Sequence, residues 1–572
     1  VGKITGGELI KRILVNEGVK YVFGVPGDQL YPLLDSFYND DQIKFITFHH
    51  EAAAAHAADG YARVTNKPGV VIATVGPGAA NLIGGVYPAY AEGVPIIIIT
   101  AQNQSWKSYP DHGSMQALDQ INLLKPVTKW NAYISQWVRI PELVQWAFRK
   151  ALTGRPGPVH LDVAVDVLYQ TGDENNVLWL KPENYRPIIP PAGNPDLINE
   201  AARLLAKAKM PLIHLGGGVL RANAVEEAKN LADYLKAIVT TSIGGRGSIS
   251  EDFPSLLLPS LPGALEAQTE ADVVLIAGSR LGDLDYWGKP PAWGDFKDQR
   301  TIHIDITGED IGLNRPVDIG IVGDVKVVLS QLLEAIKRII PPKKDYPERL
   351  EKYKESEREY LKNMEDLSYS NSIPIHPLRV VREVREFFPK DSISIIDGGN
   401  TTVWASYLNK IYLPYTYFST ASGDSGHLGS GIPFSISAKL VNPDKQVYVI
   451  SGDGAFGFHV MDLETACREN LQITFIVLID SAWGMIKAGQ TLYYSKRHVG
   501  VDFSEIRYDL IAEAVGCHGE HVTNPNEIKP ALKRSLESKK ASVINIVVDK
   551  NAIPPHFEIL AGIWLEGVEI PS

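Results

Sequence analysis

Cysteine is nearly absent from this chain: two residues, Cys467 and Cys517, in 572. Two thiols build neither a disulfide framework nor a cysteine-based zinc cluster, and both are expected to be buried and inert. Positive charge is also in short supply. Lys and Arg number 56 against 67 Asp and Glu, a net charge of −11, so binding to nucleic acid or to an anionic membrane surface has no basic patch to rest on. The longest apolar runs, around 94–99 and 475–479, are strand-sized and far short of a bilayer span. The first residues, Val1-Gly2-Lys3-Ile4-Thr5-Gly6, hold no signal-peptide core. Cytoplasm is the expected compartment.

What remains is the composition of an ordinary globular protein, 45% hydrophobic and 22% charged. A chain of 572 residues is too long for one core and points to three domains. Runs rich in β-branched residues alternate with amphipathic helical patterns throughout, which predicts an α/β fold of three doubly wound domains with parallel sheets. The first domain is expected over 1–170. The Pro-rich connector Arg186-Pro187-Ile188-Ile189-Pro190-Pro191 leads to a central domain over 190–340. A charge-dense stretch, 341–370, reads as a solvated linker helix, and a third domain covers 371–550. The tail, 551–572, carries Phe557, Ile559, Leu560, Ile563, Trp564 and Leu565, too apolar to be left in water. It is expected to act as a lid.

Two acidic motifs stand at predicted strand ends. Gly452-Asp453-Gly454 follows the strand 447–451, and Asp480-Ser481-Ala482-Trp483-Gly484 follows the strand 473–479. The 27-residue interval between Asp453 and Asp480 is about one strand-helix-strand unit. Glycine on both sides of Asp453 lets backbone N–H groups approach phosphate oxygens. Mg²⁺ shares its oxygen ligands between carboxylates and a diphosphate in such settings. A bare Gly-Asp-Gly is otherwise a common surface turn.

The pair resembles the diphosphate and metal motif of thiamine diphosphate enzymes. A second segment, Phe48-His49-His50-Glu51-Ala52-Ala53-Ala54-Ala55-His56-Ala57-Ala58-Asp59-Gly60-Tyr61-Ala62-Arg63, resembles the helix start at which that family places a glutamate to protonate N1′ of the aminopyrimidine. Read alone, Glu51 could be a solvated first-turn acid favoured by the helix dipole. A zinc site from His50, Glu51 and His56 is disfavoured, since histidines six apart are turned by roughly 240° rather than sharing a helix face. Four further glycine turns follow the family order. Gly24-Val25-Pro26-Gly27 and Val75-Gly76-Pro77-Gly78-Ala79-Ala80-Asn81 resemble the aminopyrimidine side, and Asp397-Gly398-Gly399-Asn400-Thr401-Thr402 the first diphosphate turn. In Gly426-His427-Leu428-Gly429, Leu428 takes the place of the residue wedged between the cofactor rings.

The resemblance implies Glu51 as the catalytic acid and Asp453, Asp480 and the Ala482 carbonyl as metal ligands. It implies cofactor contacts from Gly27, Gly76, Asn81, Asn400, Thr401, Gly426, Leu428, Gly452, Gly454, Ala455 and Met485. Gln116, His112, His427 and Trp483 are candidates to handle substrate. It also implies an active site shared between chains of a homodimer or homotetramer.

The central domain bears on the reaction. Leu215-Gly216-Gly217-Gly218-Val219 is an incomplete dinucleotide fingerprint. With Ile276-Ala277-Gly278-Ser279-Arg280, Ile302-His303-Ile304-Asp305-Ile306 and Ile321-Val322-Gly323-Asp324 it resembles the turns that hold the ADP part of coenzyme A in one branch of the superfamily and FAD in another. Arg155, Gly217, Gly218, Arg280, Asp305, Ile306 and Asp324 are the candidate nucleotide contacts. The run Ala455-Phe456-Gly457-Phe458 followed by Glu464-Thr465-Ala466-Cys467-Arg468, together with the apolar tail, resembles 2-hydroxyacyl-CoA lyases. Gly78-Ala79-Ala80-Asn81 and Met115-Gln116 resemble acetohydroxyacid synthases, with Met115 in place of their Phe and Arg280-Leu281-Gly282-Asp283 departing from their Arg-Phe-Asp-Asp. The expectation is a thiamine diphosphate and Mg²⁺ dependent lyase acting on a 2-hydroxyacyl-CoA thioester. The alternative is an acetolactate-forming carboligase that uses a 2-oxo acid.

Overall fold

The computed structural model describes residues 2–421 and 423–555, and three all-parallel sheets organise it. The first runs, in spatial order, Lys44–Thr47, Tyr21–Gly24, Gly69–Ala73, Ile96–Gln102, Val159–Ala164, Trp130–Ile134. The second runs Ile238–Thr241, Pro211–Leu215, Val273–Ala277, Arg300–Asp305, Ile319–Val322. The third runs Tyr417–Phe418, Ile393–Asp397, Val447–Gly452, Thr474–Ile479, Ser542–Val547, His518–Val522. Helices cover both faces of such sheets, so inner strands read as unbroken apolar runs rather than alternating ones. Ile96–Gln102 and Val273–Ala277 are buried along their whole length. The chain is thus an α/β protein of three parallel-sheet domains.

All three sheets are wound alike. Each begins one strand in from an edge, adds the edge strand next, and then crosses to the other side of the first strand. That reversal opens a crevice above the carboxyl ends of two neighbouring strands, where ligands collect in open α/β sheets. The three crevices lie beyond Gly24 and Ala73, beyond Leu215 and Ala277, and beyond Asp397 and Gly452.

The first and third domains share a core in which Phe23, Phe48 and Tyr61 meet Phe434, Phe456 and Phe475. The seam is formed by the Ala-rich helix Glu51–Thr65 and the helix Gly431–Val441, which pack on each other closely. A Cβ on Gly60 would come within 2.7 Å of Ser437 Oγ and 3.0 Å of Phe434 Cα. The charge-rich linker differs from expectation. Its helix, Leu350–Ser368, buries Leu350, Tyr353, Glu357 and Met364, spaced to form one face, and packs on the helices Pro262–Glu270 and Pro377–Phe387. No helix among the described residues is long and apolar enough to cross a membrane. The proposed lid lies, from residue 556 on, outside the described residues.

Candidate active site

The N-terminal half of the site grows from the strand Lys44–Thr47. His50 caps the next helix, its ring accepting the Ala52 N–H at 3.1 Å, so Glu51 becomes the first helical residue and is buried, 7% exposed. Asn81 Nδ2 donates to Glu51 Oε2 at 3.0 Å. Asn81 closes the short helix Pro77–Asn81, which starts at Gly76 with a left-handed φ of 68°. Only glycine fits there, because a Cβ would fall 2.3 Å from the Gln116 carbonyl oxygen. The Gly76 N–H donates to Gln120 Oε1 at 2.7 Å. Gln120 Nε2 donates to Asp162, a buried acid that also accepts from Thr100, Gln102 and Tyr109. Burial lifts the Asp162 pKa to about 6. Gln29 links Thr74 and Gln116, and Gly27 packs directly on Thr74. Gly27, Gly76, Asn81, Gln116 and Glu51 therefore gather in one place.

The C-terminal half forms at the crevice of the third sheet. Asp453 opens the helix Asp453–Gly457 and accepts the Gly454 N–H and the Ser481 N–H, each at 2.8 Å. Asp480 accepts the Ala482 N–H at 3.1 Å. Burial holds both carboxyls above their usual range, and the charge of Asp480 adds to the effect on Asp453. Two buried like charges side by side favour a cation between them. Among the described residues no group of three or more His, Cys, Asp or Glu is arranged to hold a metal, so the pair would need carbonyl and ligand oxygens to complete an octahedron.

A cavity of about 370 Å³ opens over these residues. Its walls include Gly398, Asn400, Thr401, Gly426, Leu428, Gly452, Gly454, Ala455, Ala482, Trp483 and Met485. Glycines let main chain come close, and Asn400 Oδ1 is buried without a hydrogen-bond partner. A glycine-lined cradle, an orphaned acceptor, the N-terminus of the helix Gly399–Leu408 and an acid pair fit a diphosphate with its divalent cation. The lining residues come from the central and C-terminal domains. Glu51, Asn81 and Gln116 are not among them.

A second cavity, of about 770 Å³, occupies the crevice of the central sheet and is lined by Arg155, Gly217, Gly218, Arg280, Asp305, Ile306 and Asp324. A Cβ on Gly218 would lie 2.7 Å from Gly278 Cα, so the incomplete fingerprint reflects close packing of two turns. Arg155 and Arg280 both donate to the Ala91 carbonyl, and Arg280 also pairs with Asp424. Burial and the Arg280 charge lower the Arg155 pKa, while burial raises Asp305 to about 6. Asp324 also caps the helix Val325–Lys337, accepting from Lys326 and Val327. The two cavities share Ile243 and Leu284 in their walls.

Three family models match this architecture: the thiamine pyrophosphate enzyme N-terminal TPP binding domain over residues 4–123, the central domain over 198–332 and the C-terminal TPP binding domain over 397–546. The chain belongs to the thiamine pyrophosphate enzyme family. A probable acetolactate synthase large subunit of Methanococcus aeolicus is 34% identical, over 96% of this chain and 94% of that protein. Its counterpart in Methanocaldococcus jannaschii is 34% identical, over 95% and 92%. The acetolactate synthase large subunit of Corynebacterium glutamicum is 31% identical, over 96% and 88%.

Two of the candidate substrate residues, like Glu51 and Gln116, do not line the first cavity. His112 is exposed on a loop and lines neither cavity. His427 sets its ring against His56, 4.9 Å between centroids, and a Cβ on Gly84 would lie 3.4 Å from its Nε2 and 3.9 Å from Ala52 Cβ, beside Glu51. His427 too is absent from the cavity wall. Trp483 stands in the cavity wall, edge-on to Phe458 and Phe503 and pressed against Gly454. Sequence reasoning missed Arg246, a buried cation that reaches the first cavity while paired with Glu251 at 2.8 Å. Its signal was an Arg flanked by glycines, Gly245-Arg246-Gly247, soon after the strand Ile238–Thr241.

Proposed function

We propose that this thiamine diphosphate enzyme is a carboligase of the acetolactate synthase type, which joins the acyl unit of a 2-oxo acid such as pyruvate to a second carbonyl compound. The observation that carries the reading is its relationship to acetolactate synthase large subunits along 96% of the chain, with Glu51, Asp453 and Asp480 all present. These relatives favour the synthase over the 2-hydroxyacyl-CoA lyase.

The bound cofactor would supply a carbon nucleophile and an electron sink. Asp453, Asp480 and the Ala482 carbonyl would hold Mg²⁺, and the main chain around Gly398 and Gly454 would take the diphosphate. Asn81 occupies Glu51 Oε2, which leaves Oε1 to exchange a proton with the aminopyrimidine. Leu428 shapes the first cavity. Since the Glu51 cluster does not line that cavity, the complete site would be assembled from two copies of the chain.

One observation favours a second reading. Ile243 and Leu284 stand in the walls of both cavities, so the two are neighbours, as the arm of a coenzyme A thioester held in the central crevice would require to reach the first cavity. The test is an assay of the purified protein with pyruvate and with a 2-hydroxyacyl-CoA, together with its visible spectrum. Acetolactate formation and a flavin spectrum support the synthase. Cleavage of the CoA ester without acetolactate formation overturns it.

A further inference from the structure

Asp397 ends the strand Ile393–Asp397 and is 1% exposed. Its carboxylate accepts the Gly429 N–H at 3.1 Å on each oxygen and the Gly431 N–H at 2.9 Å on Oδ2. Gly431 starts the helix Gly431–Val441, so the charge also sits at the positive end of a helix dipole. Burial raises the Asp397 pKa to about 6, opposed by these amide donors.

The two segments joined by this carboxylate face the same cavity. Gly398 and Gly399 follow Asp397 directly and line it, as do Gly426 and Leu428. Between Gly426 and Gly429, both left-handed with φ of 58° and 91°, stands the two-residue tip His427-Leu428. Glycines on both sides give such a tip little stiffness of its own, and its His427 half is held by the Thr420 hydroxyl, which donates to the His427 carbonyl at 2.8 Å. On one side Gly429 abuts Phe458, where a Cβ would come within 2.7 Å. On the other, Asp397 fixes the backbone immediately after Leu428.

We infer that Asp397 is a positioning residue: without touching the cofactor, it sets the angle at which Leu428 enters the cofactor cavity. The inference rests on the thiamine diphosphate reading of that cavity. Its chemistry is a buried carboxylate clamping main-chain amides, and a shift of the wedge by about 1 Å costs on the order of 10²-fold in rate in a well-oriented site.

The test is a double-mutant cycle of Asp397→Asn and Leu428→Ala. Each protein is titrated with thiamine diphosphate and Mg²⁺ by tryptophan fluorescence, and the bound cofactor is recorded by near-ultraviolet circular dichroism. Asp397→Asn is expected to keep cofactor affinity within about threefold, to alter the dichroism of the bound cofactor as Leu428→Ala does, and to add nothing further in the double variant. Turnover should fall at least about tenfold in Asp397→Asn with the same non-additivity. Wild-type dichroism and turnover in Asp397→Asn, or losses that add in the double variant, overturn the inference. If Asp397→Asn does not fold, Asp397→Ser, which retains one acceptor, is put through the same cycle and judged by the same outcomes. Failure of the wild type to bind thiamine diphosphate at all would instead remove the reading beneath it.

Discussion

Asn81 Nδ2 stands 3.0 Å from Glu51 Oε2, so the buried acid at the start of its helix has one oxygen held and one in reserve. The hold matters because the carboxyl must meet a ring nitrogen at a fixed angle. Removing the acid and removing its holder should therefore differ in degree.

Glu51→Gln is expected to leave diphosphate and Mg²⁺ binding near wild type and to reduce turnover by about 10²–10⁴-fold, the usual range for a lost general acid–base. Asn81→Ala should reduce turnover by less, on the order of tenfold, since it frees a rotamer without removing the proton carrier. Steady-state kinetics beside calorimetric titration with the cofactor separate the two. Wild-type turnover in Glu51→Gln would refute the assignment.

Asp453→Ala should weaken thiamine diphosphate binding in the presence of Mg²⁺ by about 10–100-fold or more. Removing metal and cofactor by chelation and dialysis should lower the thermal midpoint of the wild type, because a ligand at 100 times its Kd contributes about 2.7 kcal/mol. The Asp453→Ala variant should lose that response. An unchanged affinity by calorimetry would move the metal elsewhere.

Glu357, on the helix Leu350–Ser368, accepts the Leu258 N–H at 2.8 Å, and burial raises its pKa from 4.5 to about 8. A raised pKa means that the folded state favours the protonated form. The stabilisation is complete below about 4.5 and disappears as pH rises through about 8. Glu357→Gln keeps the acceptor and removes the titration. Its urea midpoint should therefore gain on the wild type as pH is raised across that window. Parallel curves for the two proteins would contradict the assignment.

Chains carrying Glu51→Gln and Asp453→Ala should each be inactive alone. Reassembled together, they should recover about a quarter of wild-type activity, because half of randomly formed dimers are mixed and one of the two sites in each is intact. No recovery, with mixed dimers demonstrated by differential tags, would place Glu51 and Asp453 of a single chain in one site.

Much of this was legible in the sequence because it is local. Parallel strands announce themselves as short apolar runs, so Asp453 and Asp480 could be set at strand ends by position, while the Gly76 and Gly426 turns were singled out by family resemblance. What escaped depends on contacts between distant segments. Gln120 holds the Gly76 amide and leans on Asp162, 44 and 42 residues apart respectively, and neither residue carries a motif. The contact of the His427 ring with His56, 371 residues away in the chain, was likewise invisible in the sequence. The linker charges concealed a buried face because its apolar positions are sparse.

The first cavity has walls from the central and C-terminal domains and none from the helix Glu51–Thr65. Its consequence is kinetic. If each working centre needs two chains, the dissociation constant of the subunits becomes a constant of the rate law. Specific activity should fall on dilution, with a slow decay after a concentrated stock is diluted and a lag after a dilute one is concentrated, at saturating substrate and cofactor throughout.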